Sequence, residues 1–365
     1  MGFFPSRNHA PSITTEQVIA ALSTVQEPEL GGDLVSRKMI KDVTIEGTRV
    51  AFTVELTTPA CPLKDQIQAE CEAAVRTIAG VTEVAIEFTA NVRRNAGIPE
   101  QEAISGVAHV LAVAAGKGGV GKSTVAANLA IALAQEGARV GLLDADIYGP
   151  SVPIMFGLRD KGQPPVYQTE AGEPMIIPFE QHGIKLISVG FLVDESQPVI
   201  WRGPMVSQML RQFIRNVAWE PLDYLVVDMP PGTGDVALTL AQSLPLAGAL
   251  IVTTPQTVAT ADVVKAIQMF NRVNVPVLGI IENMAYFVAP DTGTRYNIFG
   301  TGGAAHLAAS HDLPVLGEIP LGMSIREGGD SGMPAVLSDM PDAYAESFRQ
   351  LARQVAARIS VLALV

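Results

Sequence analysis

Cysteine is almost missing from this chain: Cys61 and Cys71 are the only two among 365 residues. Two thiols cannot build a disulfide framework, they suit a reducing compartment, and they cannot supply a four-thiolate metal site within one chain. Also missing is any unbroken apolar run near the roughly 20 residues that cross a bilayer. The opening MGFFPSRNHAPSITTEQ has no basic stretch followed by a long apolar one, so no secretory signal is expected and the cytoplasm is the expected location. Positive charge is scarce, with 25 Lys and Arg against 37 Asp and Glu and a net charge of −12. That balance argues against a general nucleic-acid binder, which needs a basic face to neutralise phosphates, and leaves room only for a local basic patch. The five histidines, His9, His109, His182, His306 and His311, are scattered, and the five-residue spacing of the last two puts them on different helix faces. No metal role is assigned to them. There is no internal repeat and no low-complexity tract. What remains, 48% hydrophobic and 17% charged residues, is an ordinary soluble globular composition, long enough for two domains.

Residues 1–90 read as a small α+β domain. TTEQVIAALSTV has a helical apolar pattern that Thr14 or Thr15 can cap. VTIEGTRVAFTVEL gives two β-rich runs around Gly47, a hairpin signal. CPLKDQIQAECEAAVRTIAG is an amphipathic helix ended by Gly80, and VTEVAIEF alternates as a closing strand. Residues 91–107, polar with Gly and Pro, read as a linker. From 108 to 365 strands and helices alternate. VLAVAA, RVGLLDAD, IKLISVG, YLVVDMP, ALIVTTP and VLGIIENM are short, unbroken and β-branched, as strands covered on both faces are. Helix-length stretches such as 121–136, 205–217 and 257–273 separate them. The expected fold is α/β, a doubly wound, mostly parallel sheet preceded by the small α+β domain.

Within AAGKGGVGKST, residues 114–124, positions 116–123 match G-x-x-x-x-G-K-[ST] between a strand and a helix, the context expected of a P-loop NTPase. Gly116, Gly118, Gly119 and Gly121 let backbone N–H groups turn inward around a phosphate, and the helix N-terminus adds its positive end. Lys122 is placed to reach the β- and γ-phosphates of ATP and Ser123 to ligate Mg²⁺, with Val120 and Thr124 completing the nucleotide-binding stretch. Carboxylates at strand ends sit where such sheets bind ligands. Asp228 in LVVDMPPGTGD is the natural Mg²⁺-side residue, Asp144 in LLDADIYGPS supports the metal shell, and Asp146 is the candidate for orienting the attacking water.

GKGGVGKST resembles the deviant phosphate loop of the MinD/ParA/nitrogenase-iron-protein class. LLDADIYGPSVPIMFGL, WRGPMVSQMLRQF, DYLVVDMPPGTGD, TTPQTVATADVVKAI, IENMAYF and IFGTGGA look more specifically like the Mrp/ApbC group of iron–sulfur cluster carrier ATPases. The likeness runs from about Val107 onward, and the unit containing LTTPACPLKDQI resembles the iron–sulfur assembly domain that bacterial members often carry in front. The resemblance implies that Lys117 is the signature lysine, extending across a two-fold interface to the partner's nucleotide. It thus implies a homodimer closing over two ATP molecules, with Lys117, Lys122 and Asp146 as the hydrolytic set. It further implies that Asn283 reads the adenine edge, that Pro320 and Leu321 line the base pocket, and that the partners are iron–sulfur scaffolds and apo-proteins.

One local departure stands against the cluster role. Members usually show C-x-x-C after the ENM strand, but here FVAPDTG places Ala289 and Thr292 at the two thiolate positions, and neither matches the thiolate that iron–sulfur chemistry prefers. Cys61, at a turn just before a helix whose dipole would favour thiolate, is the remaining candidate ligand; Cys71 reads as core. Two rival readings stay open: a MinD/ParA-like positioning ATPase, and an ATP-dependent maturation scaffold that carries no cluster. The amphipathic tail ESFRQLARQVAARISVLALV, with Arg349, Arg353 and Arg358, fits either a membrane-touching helix or, more simply, a helix packed on the sheet.

Overall fold

In the computed structural model, which describes residues 13–92, 103–192, 203–338 and 343–363, it is Thr14 that caps the first helix, α1 (Thr15–Leu22). Its hydroxyl accepts from Gln17 N–H at 3.4 Å while Gln17 Oε1 accepts from Thr14 N–H at 3.0 Å, a reciprocal cap. The hairpin β1 (Ile40–Glu46) and β2 (Arg49–Leu56) turns at Gly47, whose φ of 64° favours glycine. A helix, α2 (Lys64–Arg76), then returns the chain so that β3 (Glu83–Ala90) lies parallel to β2, giving the order β1-β2-β3. Alternate residues of β2, Val50, Phe52, Val54 and Leu56, are buried in one cluster with Val18 and Leu22 of α1 and Ile67, Cys71 and Val75 of α2. The chain divides into two compact units, Met1–Val92 and Arg93–Val365, and this sheet with its two helices is the first.

The second unit begins with β4 (Val107–Ala115), α3 (Lys122–Gln135), β5 (Val140–Asp144) and the short α4 (Val152–Met155). Next come the small strands β6 (Val166–Gln168), β7 (Pro174–Ile176) and β8 (Phe179–Gln181), then β9 (Ile184–Ser188), α5 (Gly203–Arg215), β10 (Leu222–Asp228) and α6 (Asp235–Ser243). The series closes with β11 (Leu246–Thr253), α7 (Thr257–Arg272), β12 (Val277–Val288), β13 (Arg295–Tyr296), α8 (Gly303–His311), β14 (Val315–Leu321), α9 (Met323–Ser331) and α10 (Ala343–Leu362). The main sheet runs β13-β12-β11-β4-β10-β5-β9-β8, with β14 also paired to β12. Every pairing is parallel except those of β13 and β8, which are short antiparallel edges that the apolar runs did not announce. Of the expected linker, residues 93–102 lie outside the described residues. Ile104 and Val107, read as its end, are instead buried in the core of this unit.

The helix after the phosphate loop is apolar on all sides. Ala126, Ala127, Leu129, Ala130, Ile131, Ala132 and Leu133 are fully buried, because α3 packs on β4, β5 and β10 and is covered in turn by α10. Small alanines let the layers approach closely. Its one interior polar residue, Asn128, is satisfied twice: Nδ2 donates to the Thr124 carbonyl at 2.9 Å and Oδ1 accepts from Val336 N–H at 2.9 Å. The apolar face of α10, with Phe348, Leu351, Ala352 and Val355, is part of the core, and Arg353 pairs with Glu136 at 2.8 Å. The amphipathic pattern of the tail is therefore the signature of packing, and no described helix is long and apolar enough to cross a membrane.

Candidate functional site

The parallel sheet brings the carboxyl ends of β4, β5 and β10 side by side, and each delivers one part of the site. From β4 the loop 116–121 leads directly into α3 at Lys122. Gly121 sits at φ 82°, where side chains are strained, and a Cβ there would run into Asn283 Nδ2. A Cβ at Gly116 would strike the main chain of Asp262 and Val263 in α7, the Val263 nitrogen lying 2.7 Å away. Both glycines are thus required by close approach. The loop borders a cavity of about 410 Å³ together with Lys117, Lys122, Ser123, Asp146 and Tyr148. Tyr148 is 67% exposed, and the sequence did not single it out.

Lys122 is buried, and its charge is answered at once. Nζ lies 2.5 Å from Asp228 Oδ1 and 3.5 Å from Asp146 Oδ2, and it donates to Ser123 Oγ at 3.3 Å. Register explains the convergence, since Asp228 at the end of β10 is paired with Asp144 at the end of β5. Burial raises the pKa of the Asp228 carboxyl, opposed by the charge and hydrogen bond of Lys122. Its second oxygen, Oδ2, is buried without a hydrogen-bond partner among the described residues.

Asp144 has a different position from the metal-shell role expected of it. Its Oδ1 accepts from Asp146 N–H at 3.1 Å, and its Oδ2 accepts from Val152 N–H at 3.2 Å and from the Ser188 hydroxyl at 2.8 Å. Complete burial and the neighbouring Asp228 push it up to about 7. With both oxygens engaged and no border on the 410 Å³ cavity, Asp144 fastens the turn that presents Asp146. Ser188, its partner from β9, carried no sequence signal.

Lys117 contrasts with Lys122. It is half-buried at the mouth of the same cavity and has no hydrogen-bond or ion-pair partner among the described residues.

A second cavity, of about 370 Å³, adjoins the first and is bordered by Asn283, Met284, Pro320, Ile325 and Arg326. Asn283 and Pro320 are brought together as the resemblance implies, but Leu321 is not on the border; it pairs in register with Phe287. One N–H of the Asn283 amide donates to the Val120 carbonyl at 2.8 Å, so the residue buttresses the phosphate loop and keeps its other N–H and its carbonyl oxygen for a base. Met284 follows at φ 54°, where the β12–β14 register shifts. That kink and the α9 wall were not readable from the residues.

The site has the donors a nucleotide–magnesium pair needs. An unpartnered buried carboxylate oxygen stands beside Ser123. No group of three or more His, Cys, Asp or Glu able to hold a metal is found among the described residues. The thiols offer nothing comparable. Cys61 is half-buried, and burial, with smaller contributions from Glu29 and Glu27, pushes it up to about 11. The helix-dipole expectation for Cys61 is therefore reversed: the neutral thiol is favoured. Ala289 and Thr292 lie in the connection between β12 and β13, where Ala289 N–H donates to the Thr294 carbonyl at 3.0 Å.

A family model described as NUBPL iron-transfer P-loop NTPase matches residues 106–356 of this architecture, with the phosphate loop and all three aspartates inside it. The chain belongs to this family. A second model, described as an iron-sulfur cluster assembly protein, matches residues 15–87. An iron-sulfur cluster carrier protein of Synechocystis sp. is 50% identical over 97% of this chain and 100% of its own length. The protein of the same description from Escherichia coli is 42% identical over 97% of this chain and 95% of its own. Among solved structures, a nucleotide-binding protein of Archaeoglobus fulgidus in complex with ADP is 40% identical, with a TM-score of 0.58, over 68% of this chain and 95% of that one. The cell division ATPase MinD of Pyrococcus furiosus, at 22% identity and a TM-score of 0.52 over 68% of this chain and 98% of its own, shares the fold of the family.

Proposed function

We propose that this protein is an ATPase whose two copies close over two nucleotides and that this closure governs the holding and delivery of iron–sulfur clusters. The observation that carries the reading is the inequality of the two loop lysines. Lys122 is held in place by Asp228 and Asp146, whereas Lys117 has no partner in its own chain among the described residues. The loop N–H groups and Lys122 bind the phosphate chain, Asp146 orients the attacking water, and Lys117 supplies positive charge to the nucleotide of the second copy. Ser123, together with Asp228, would hold the magnesium ion, which supplies charge neutralisation on the phosphates. Asn283 and Pro320 receive the base.

The cargo reading rests on the printed names of the relatives and on the N-terminal match, with iron–sulfur scaffolds and apo-proteins as partners. Ala289 and Thr292 favour a second reading, an ATP-dependent scaffold for metal-protein maturation that itself carries no cluster. The net charge of −12 argues against nucleic acid, and the buried face of α10 against a membrane-touching tail; together they disfavour a positioning ATPase. We place the activity in the cytoplasm on the strength of the cysteine scarcity.

Lys117→Ala tests the switch. Turnover should fall by about 10³, the contribution of a cation supplied in trans, while ATP affinity stays within a few-fold; unchanged turnover would remove the proposal. Anaerobic reconstitution with iron and sulfide, followed by absorption spectra of wild type and Cys61→Ser, separates the two cargo readings. A chromophore in the wild type supports the carrier, and its absence the scaffold.

A further inference from the structure

The phosphate cavity and the base cavity are not separate. Gly121, Thr124, Ser151 and Met155 border both. The phosphate-loop glycines with Lys117 and Lys122 lie on one side of this seam; on the other lie Asn283, Pro320 and Ile325, which suit a planar base, beside Arg326 and Asp330, which pair with each other. A nucleotide stretched along the trough therefore places its sugar at the seam, and this placement rests on the ATP-binding reading above.

Ser151 is the side chain at the seam whose hydroxyl is both buried and without a hydrogen-bond partner among the described residues. It occupies the cap position of α4, yet its hydroxyl makes no capping bond; the helix start is served by its carbonyl, which accepts from Ile154 N–H at 3.1 Å and Met155 N–H at 3.0 Å. Ser151 Oγ is buried with no hydrogen-bond partner among the described residues, although the residue itself is only half-buried and borders both cavities. Leaving a buried hydroxyl unpaired costs free energy. Turning it about Cα–Cβ toward the trough breaks no bond and gains one when a ligand hydroxyl waits there. Thr124, the other polar side chain at the seam, lies on the helix that leaves the phosphate loop.

We infer that Ser151 is the ribose-recognising residue of the nucleotide site, its hydroxyl pairing with a sugar hydroxyl of the bound nucleotide. It selects a nucleoside triphosphate over a bare phosphate chain and a ribonucleotide over one deoxygenated at the contacted carbon.

The test is equilibrium binding of ATP, 2′-deoxy-ATP, 3′-deoxy-ATP and inorganic tripolyphosphate to full-length wild type, Ser151→Ala and Ser151→Thr. Because the hydroxyl makes no cap bond, the alanine variant keeps α4. The expected result is about a five- to tenfold loss of ATP affinity in Ser151→Ala, the size of one neutral hydrogen bond, with tripolyphosphate unaffected and Ser151→Thr near wild type. One deoxy analogue should bind wild type and Ser151→Ala equally. The inference is overturned if Ser151→Ala binds ATP as wild type does, if it loses tripolyphosphate in the same proportion, or if neither analogue removes the difference. Absence of turnover or of cluster would count against the proposed function alone, since nothing here is read from hydrolysis; a wild type that binds no ATP would overturn both.

Discussion

The phosphate-loop end of the central sheet and the Cys61 turn of the N-terminal unit share one physical condition, burial of an ionisable group, and resolve it in opposite ways. At the sheet, Lys122 is buried against Asp228 and Asp146, so opposite charges compensate for lost water. At the turn, Cys61 is buried near Glu27 and Glu29, so the neighbouring charges add to the cost of forming thiolate. The difference teaches that residue identity names a candidate, while the surrounding charge decides whether it is switched on. In the phosphate-loop region Lys122 is paired within the chain, whereas Lys117 has no hydrogen-bond or ion-pair partner among the described residues. Without a bound metal, burial favours the neutral form of the Cys61 thiol.

Three measurements test that contrast. The largest effect is expected in Cys61 alkylation by iodoacetamide. A thiol pushed up to about 11 is neutral below that pH, so at pH 8 the folded protein should react at Cys61 about several hundredfold more slowly than the urea-unfolded chain with its ordinary thiol. The rate should climb about tenfold per pH unit as the thiolate forms. A folded rate equal to the unfolded one would erase the contrast. Next, Lys122→Ala should weaken ATP binding in calorimetry by about a hundredfold, the loss of a charge-assisted contact, whereas Cys61→Ser leaves it unchanged; equal losses would show that the two regions work as one. Smallest is Gly121→Ala, which should lower unfolding free energy in urea by about 2 kcal/mol, through the left-handed backbone and the collision with Asn283. An unaltered midpoint would mean that the loop yields and the site is less rigid than its geometry implies.

The strands, the phosphate loop and the aspartates could be read from residues because each follows from local pattern: unbroken Val, Leu and Ala runs for covered strands, glycine spacing for the loop, acids at strand ends. Contributions set by partners remote in sequence could not. The second task of Asn283, an amide N–H bond to the Val120 carbonyl of the phosphate loop, depends on a partner 163 residues away and leaves no local pattern. Asp144 and Asp146 lie two residues apart; Ser188 from β9 and Val152 from α4 separate them by both donating to Oδ2 of the first, whose Oδ1 accepts from Asp146 N–H. Cys61 just before α2 suggests an activated thiol, but burial and the distant Glu27 and Glu29 outweigh the helix end. Ser151 gives no signal at all, since an unused hydroxyl can be recognised only by finding its neighbours silent.

The covering of α3 by α10 carries a consequence for the active centre. A loop rich in glycine would ordinarily wander, yet this one is rooted in a helix clamped between a sheet and a second helix, with Asn128 stapled at both ends of its amide. Stiffness at the phosphates is thus borrowed from a helix remote in sequence. Damage to that far wall would surface as a slack grip on triphosphate long before any residue near the chemistry had changed.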